Sequence, residues 1–376
     1  MVTWEQRKLG TAIKIIKDKN KNQHSYRAFS ISNIKGFIAQ DEQFGKDNTY
    51  SKTDKSTNYI VKPGMFAYNP ARINVGSIAY QNQTEPVLVS SLYEIFQTNS
   101  KIDDSFLMNW FKTSLFNRQI KRLEEGGVRQ YFFIDKMKET EIKLPSISEQ
   151  NQISKLLQLV NKNLDLQQQK NADIINLKKA ILDKIFSNSN IQKWRDIRLN
   201  KVLSIPVDEP KEVTNINDII SVKLNTQGIS KIPNRSTLKL GSTKYYIRHG
   251  GQFIFGKQNF FNGSMAIIPS EYDGKVSSKD VPSLNINKDI VMPYFLWLYL
   301  SRPSFYKKTE RWATGTGSKR LHIKDLLSLK IYIPNKNEQL RICKLMQSLD
   351  TQILKSQKHL KELQSIKKFL LQNMFI

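Results

Sequence analysis

Two short stretches combine glycine with cationic and hydrogen-bonding side chains: "GGVRQ" from Gly126 to Gln130 and "GTGSKR" from Gly315 to Arg320. The chemistry open to them is recognition of a polyanion with readable edges. Arg and Lys neutralise phosphates, Arg also pairs bidentately with guanine, and Asn or Gln pairs with adenine in the major groove. The candidate DNA-contacting residues of the first half are therefore Arg72, Asn74, Lys121, Arg122, Arg129 and Gln130. Those of the second half are Lys257, Gln258, Asn259, Arg311, Ser318, Lys319 and Arg320. The lysines at 178, 179, 367 and 368 lie in helix-like runs and read instead as solvated or subunit-facing.

No catalytic set accompanies these residues. An amino-methyltransferase needs an Asn/Asp-Pro-Pro-aromatic loop, and the nearest string, "NPAR" at Asn69 to Arg72, lacks the second proline and the aromatic. "GTGSKR" lacks the G-x-x-x-x-G-K-[ST] frame of a phosphate loop. Asp135 with "EIK" (Glu141 to Lys143) suggests a metal-dependent nuclease, but the corresponding triplet in the second half is "KIY" (Lys330 to Tyr332). Four histidines and one cysteine show no metal-ligand spacing. The chain is expected to hold no cofactor and no metal of its own.

Composition sets the setting. The 376 residues exceed one ordinary core and call for two or more domains, and 39% hydrophobic residues suffice to fold them. Lys and Arg number 59 against 33 Asp and Glu, a formal net charge of +26 spread along the chain, which favours nucleic acid as partner. There is no apolar run of about 18 residues and no signal-peptide core at "MVTWEQRKLG". The run "VMPYFLWLYL" is too short to span a bilayer and reads as a buried helix. A single cysteine, Cys343, permits no internal disulfide and fits a reducing cytoplasm; its place in a helical run makes it a small packing residue.

The elements that position the candidates come in two copies. "KLPSISEQNQISKLL" at Lys143 returns as "YIPNKNEQLRICKLM" at Tyr332, an offset of 189 residues. Trp4 and Leu9 in "WEQRKLG" match Trp194 and Leu199 in "WRDIRLN", and "KPGMFAY" matches "HGGQFIF". "VGSIA" (Val75 to Ala79) matches "NGSMA" (Asn262 to Ala266), Ser90-Ser91 matches Ser277-Ser278, and "EEGGVRQYFFIDKM" matches "ATGTGSKRLHIKDL". Each copy has a mixed part, with short β-like runs and helical runs, followed by a purely helical part. The expected division is 1–145 and 188–333 for the globular parts, 146–187 and 334–376 for the helices.

The helical parts carry three-four spacing. In the second, Ile342, Met346, Leu349, Ile353, Ser356, Leu360, Leu363, Lys367, Leu370 and Met374 occupy heptad a/d positions, eight of ten apolar. In the first, Ile153, Leu157, Val160, Leu164, Gln167, Asn171, Ile174, Lys178, Ile181 and Ile185 do so, seven of ten apolar. This is a coiled-coil seam, and about 38 residues of helix extend roughly 57 Å. Lys178 and Lys367 fall on the seam, where long stems can snorkel. Pro145 and Pro334 bar the helix from continuing backwards. Ser146 with Glu149, and Asn335 with Glu338, have the spacing of a capping box, so Glu149 and Gln150 read as capping residues.

With the "WEQRKL" start, the "GTGSKRLHI" segment and the "IPxxxEQxxI" opening of the helix, the chain resembles the specificity (S) subunit of type I restriction-modification systems over its full length. That resemblance implies an α/β (mixed α+β) fold with two target recognition domains and two long spacer helices packed as an antiparallel coiled coil in a pseudo-twofold repeat. It implies no activity in this chain. Each domain would read one half of an asymmetric, bipartite site in double-stranded DNA. The helix pair would set the spacing and dock two modification (methyltransferase) subunits, which bind S-adenosylmethionine; restriction subunits would add ATP- and Mg-dependent cleavage. The competing reading is a non-enzymatic coiled-coil scaffold bridging protein partners, with the charge serving solubility. An enzyme ranks third, because each half would need its own intact site.

Overall fold

A computed structural model describes residues 4–22, 24–44, 55–123, 131–231, 243–316 and 318–375. The chain forms two compact units, Met1–Lys170 with Ser356–Ile376, and Asn171–Lys355. Both boundaries fall inside long helices rather than at the ends of the globular parts, because the helix side chains pack into the domain cores.

In the first unit an antiparallel sheet runs in the order Ile13–Ile16, Glu94–Thr98, Phe66–Tyr68, Ile78–Tyr80. Its apolar face meets helices Asp104–Trp110 and Ser114–Leu123. Phe66 and Phe96 stack 5.0 Å apart at the centre, with Phe106, Trp110, Phe111 and Phe116 around them. Asp103 caps the first of these helices, accepting from Phe106 N–H at 2.7 Å. A hairpin, Phe29–Ser32 with Gly36–Ala39, and a separate antiparallel pair, Tyr59–Val61 with Val87–Val89, lie beside the sheet. Strands Glu5–Lys8 and Glu141–Leu144 pair antiparallel, bringing the beginning and the end of the domain together.

The same strand order returns in the second unit: Leu203–Ser204, Ser283–Ile286, Phe253–Phe255, Met265–Ile267. Arg195–Arg198 pairs with Lys330–Ile333 as Glu5–Lys8 does with Glu141–Leu144. The apolar run expected to be a buried helix is Pro293–Leu300, with proline at its start and Phe295, Leu296, Leu298, Tyr299 and Leu300 buried. Among the described residues no helix is long and apolar enough to cross a membrane.

The long helices are Ile147–Ile185 and Lys336–Asn373. Within the first unit Ile153 and Leu157 enter the domain core, and Phe375 from the end of the second helix lies 4.9 Å from Phe106. Gln167 donates to Ser356 Oγ at 2.9 Å and to the Ser356 carbonyl at 3.1 Å. Within the second unit Ile342, Cys343, Met346 and Leu349 are buried, with Ile174, Ile181 and Ile185 packed against the same core. Lys178 does not end in solvent: its ammonium is paired with Asp350, whose other oxygen accepts from the Tyr294 hydroxyl.

The helix openings correct the capping reading in part. Ser146 Oγ accepts from Glu149 N–H at 3.3 Å, and Asn335 Oδ1 accepts from Glu338 N–H at 3.0 Å. The return arm of the box is replaced: the two glutamates accept from the Trp4 and Trp194 indoles instead. Gln150 and Gln339 are not surface caps but buried, each 1% exposed. The Gln150 amide accepts from Asp103 N–H and donates to the carbonyls of Lys101 and Pro145. That of Gln339 bonds Met292 N–H, Ile290 and Pro334 in the same way. A buried primary amide must place donors and acceptor alike, and here it fastens each helix to its domain.

Candidate nucleic-acid interface

In both units a short 3-10 turn follows the central strand and carries candidate residues. Arg72 and Asn74 are exposed on and beside the turn Ile73–Val75 of the first unit; Lys257, Gln258 and Asn259 lie on Lys257–Asn262 of the second. The "VGS" and "NGS" matches explain how the turns are held. Gly76 and Gly263 sit at φ 87° and 75°, left-handed conformations that a side chain disfavours. Ser77 and Ser264 donate across to a neighbouring hairpin, to Ile31 O at 2.8 Å and Val222 O at 3.0 Å. In the second unit Asn225 and Thr226, themselves left-handed at φ 53° and 56°, donate their N–H groups to Asn262 O and Gly263 O.

The second unit gathers its candidates. Gln258 donates to Ser318 Oγ at 2.7 Å, and Leu321 N–H donates to Lys257 O, so the "GTGSKR" segment lies against the turn. Thr314 and Arg320 exchange backbone hydrogen bonds that close the loop. Arg320 reaches within 3.7 Å of Asp280. Burial pushes the Lys257 ammonium below its usual value; Asp280 pulls it up, while Lys279, Arg320 and Arg248 push it further down. Four cations share two carboxylates, Asp280 and Asp208, the latter 3.8 Å from Lys279, and leave a net positive site suited to a phosphate.

Other candidates are dispersed. Lys319 is paired to Glu310 at 2.7 Å, Arg311 sits 3.9 Å from the Trp312 ring, and Asn259 accepts from Asn262. In the first unit Lys121 and Arg122 are exposed on the last turn of Ser114–Leu123. Arg129 and Gln130 lie outside the described residues.

Sequence reading missed Arg248 and the hairpin tips. Arg248 is 4% exposed, its Nε donating to Ser277 Oγ at 2.7 Å and its guanidinium reaching the Ser277 and Ser278 carbonyls. The Ser-Ser match pointed to the end of strand Lys275–Ser278 without revealing its partner. The tips, 33–35 and 224–227, fall in segments where the two halves share no pattern, so nothing marked them.

The family model described as "Type I restriction modification DNA specificity domain" matches residues 1–176 and 192–365. The MjaX type I restriction enzyme specificity subunit assigned in Methanocaldococcus jannaschii is 23% identical over 398 residues, covering 97% of this chain and 91% of its own. Among solved structures, the HsdS subunit from Thermoanaerobacter tengcongensis is similar with TM-score 0.56 at 15% identity, over 99% of this chain and 96% of that one. The type I restriction-modification S subunit from M. genitalium is similar with TM-score 0.58 at 15% identity, over 100% and 96%. A chain from a study of complex assembly in a type I restriction-modification system has TM-score 0.58 at 14% identity, over 98% and 96%. Matched in two blocks over most of its length, the chain belongs to the type I restriction-modification DNA specificity family.

Proposed function

We propose that this chain is the sequence-reading subunit of a type I restriction-modification complex, each recognition domain reading one half of an asymmetric bipartite DNA site. The observation that carries this reading is one scaffold used twice with different side chains on it. The same strand order and the same Gly-Ser-braced turn present Arg72 and Asn74 in one unit but Lys257 and Gln258 in the other. Like scaffolds with unlike readers suit a split, non-palindromic site. The helix pair, read as an antiparallel coiled coil in a pseudo-twofold repeat, would set the spacing, as dimer geometry sets half-site separation in symmetric regulators.

The chain is read as non-catalytic, its partners being two methyltransferase subunits that bind S-adenosylmethionine and restriction subunits that use ATP and Mg. Exposed apolar side chains on the long helices support such docking. Leu156 and Leu177 are exposed at 40% and 52%, and Leu345 and Ile366, their counterparts at the 189-residue offset, at 44% and 48%. A cytoplasmic location follows from the same reading. Methylome sequencing of the host with and without the gene tests it. A split motif should vanish on deletion, and the purified chain alone should transfer no methyl group; methylation by the chain unaided would overturn the reading.

A further inference from the structure

The first unit holds a groove of about 720 Å³ between the hairpin tip 33–35, the turn at Asn74, the 82–83 loop and the two helices that follow. Five side-chain amides line it: Asn33, Asn74, Asn82, Gln83 and Asn117. All five residues are exposed, and among the described residues none of these amides has a hydrogen-bond partner. An amide offers two donors and an acceptor, so five unengaged ones around one cleft form a surface built to bond something outside the chain. Only Asn74 was expected from sequence to touch DNA.

The remaining lining narrows what that something is. Ile34 and Val75 stand beside the amides and are 87% and 59% exposed, costly positions for branched aliphatic groups unless they meet an apolar partner. Among the described lining residues the one carboxylate, Asp104, is engaged by the Thr98 hydroxyl and by Tyr80. Among the described residues, the cations that line the groove are Lys35 and Lys112. This differs from the second unit, where Lys257, Lys279, Arg248 and Arg320 cluster.

Amides beside exposed methyl groups match one base pair. In the major groove adenine presents N7 as acceptor and N6 as donor, the pattern an Asn or Gln amide meets bidentately, while its partner thymine presents a methyl group. We propose that this groove is a reader of A·T base pairs in the major groove: its amides bond adenine, and Ile34 and Val75 pack on the thymine methyl. This rests on the DNA-reading function proposed above and assigns to the first unit the half of the site that it specifies.

The test uses the full chain assembled with its methyltransferase partner. Sites are selected from randomised duplexes, then titrated with 7-deazaadenine in place of each adenine, which removes N7, and with uracil in place of each thymine, which removes the methyl. Both probes retain base pairing. Asn33→Ala, Asn82→Ala and Asn117→Ala are expected to make one half of the motif degenerate and leave the other intact, with unfolding temperature unchanged because all three are exposed. Gln258→Ala identifies the other half. At one or more positions of the first half, 7-deazaadenine should weaken wild-type binding by about 10-fold, the order expected for a lost bidentate contact, and weaken the matching variant no further. The proposal is overturned if the motif survives every variant, if the first half contains no A·T pair, or if the probes act only in the half that Gln258→Ala alters. A wild-type complex that selects no sequence would instead sink the DNA-reading function, and this inference with it.

Discussion

The indole N–H of Trp4 donates to the Glu149 carboxylate at 3.3 Å across 145 positions of sequence, and Trp194 meets Glu338 at 3.2 Å in the same way. Each tryptophan stands just before the first strand of its domain, and each glutamate in the first turn of the helix that leaves it. The strand pairs Glu5–Lys8 with Glu141–Leu144 and Arg195–Arg198 with Lys330–Ile333 make those ends adjacent. The domain is closed and its helix aimed by one joint.

That joint should register in stability. In a double-mutant cycle, Trp194→Phe and Glu338→Ala should couple by about 1 kcal/mol, the usual net worth of one hydrogen bond. Denaturant unfolding measures it. Strictly additive losses would mean that the indole and the carboxylate do not interact in solution.

Gln150 is expected to matter more. Gln150→Leu leaves Asp103 N–H and the Lys101 and Pro145 carbonyls without a partner beside the core. Stranded polar groups of this kind should cost about 2–3 kcal/mol. Gln339→Leu should behave alike. A loss within the noise of a surface substitution would show that water replaces the amide.

Lys257 predicts a pH dependence of binding. Burial favours its neutral amine, so in the free protein it loses its proton below the ordinary lysine value of 10.5. A bound phosphate stabilises the ammonium and raises that value, so affinity should fall as pH rises through the value of the free protein. Lys257→Arg, which stays charged, should flatten the profile. A wild-type titration of the assembled complex that is already flat would place Lys257 away from the phosphates.

Arg320 and Lys319 should separate in their salt response. Arg320→Ala should lower the slope of log K against log salt by about 0.9, the value of one phosphate contact. Lys319 is held by Glu310, so Glu310→Gln should free it and steepen the slope. If both variants leave the slope alone, the loop does not touch the DNA backbone.

Gln167 and Ser356, 189 residues apart on the two long helices, bond each other. Replacing both with leucine should leave stability unchanged or raise it by about 1 kcal/mol, while Gln167→Leu alone should lower it by a similar amount, since Ser356 would lose its partner. A polar pair kept at such a position suits register rather than stability. Chemical unfolding of the two variants distinguishes these outcomes.

Much of this was legible beforehand. Matching strings exposed the two-part plan, three-four spacing marked both long helices, and proline with Ser or Asn marked where they begin. "VGS" and "NGS" flagged the turns, because a left-handed glycine and a bridging serine have few substitutes. The hairpin tips were illegible for the opposite reason. Residues that project into a groove make no contacts within the fold that would impose a pattern.

The sequence by itself determined element type and order, since periodicity, caps and charge act through near neighbours along the chain. Only the tertiary structure decided that Glu149 faces Trp4 rather than its own helix end, that Gln150 is buried, and that Lys178 meets Asp350. It also decided which amides converge on one groove while Lys319 turns to Glu310. Those outcomes depend on side chains brought together from distant positions, where burial raises the cost of an unpaired polar group and so selects its partner.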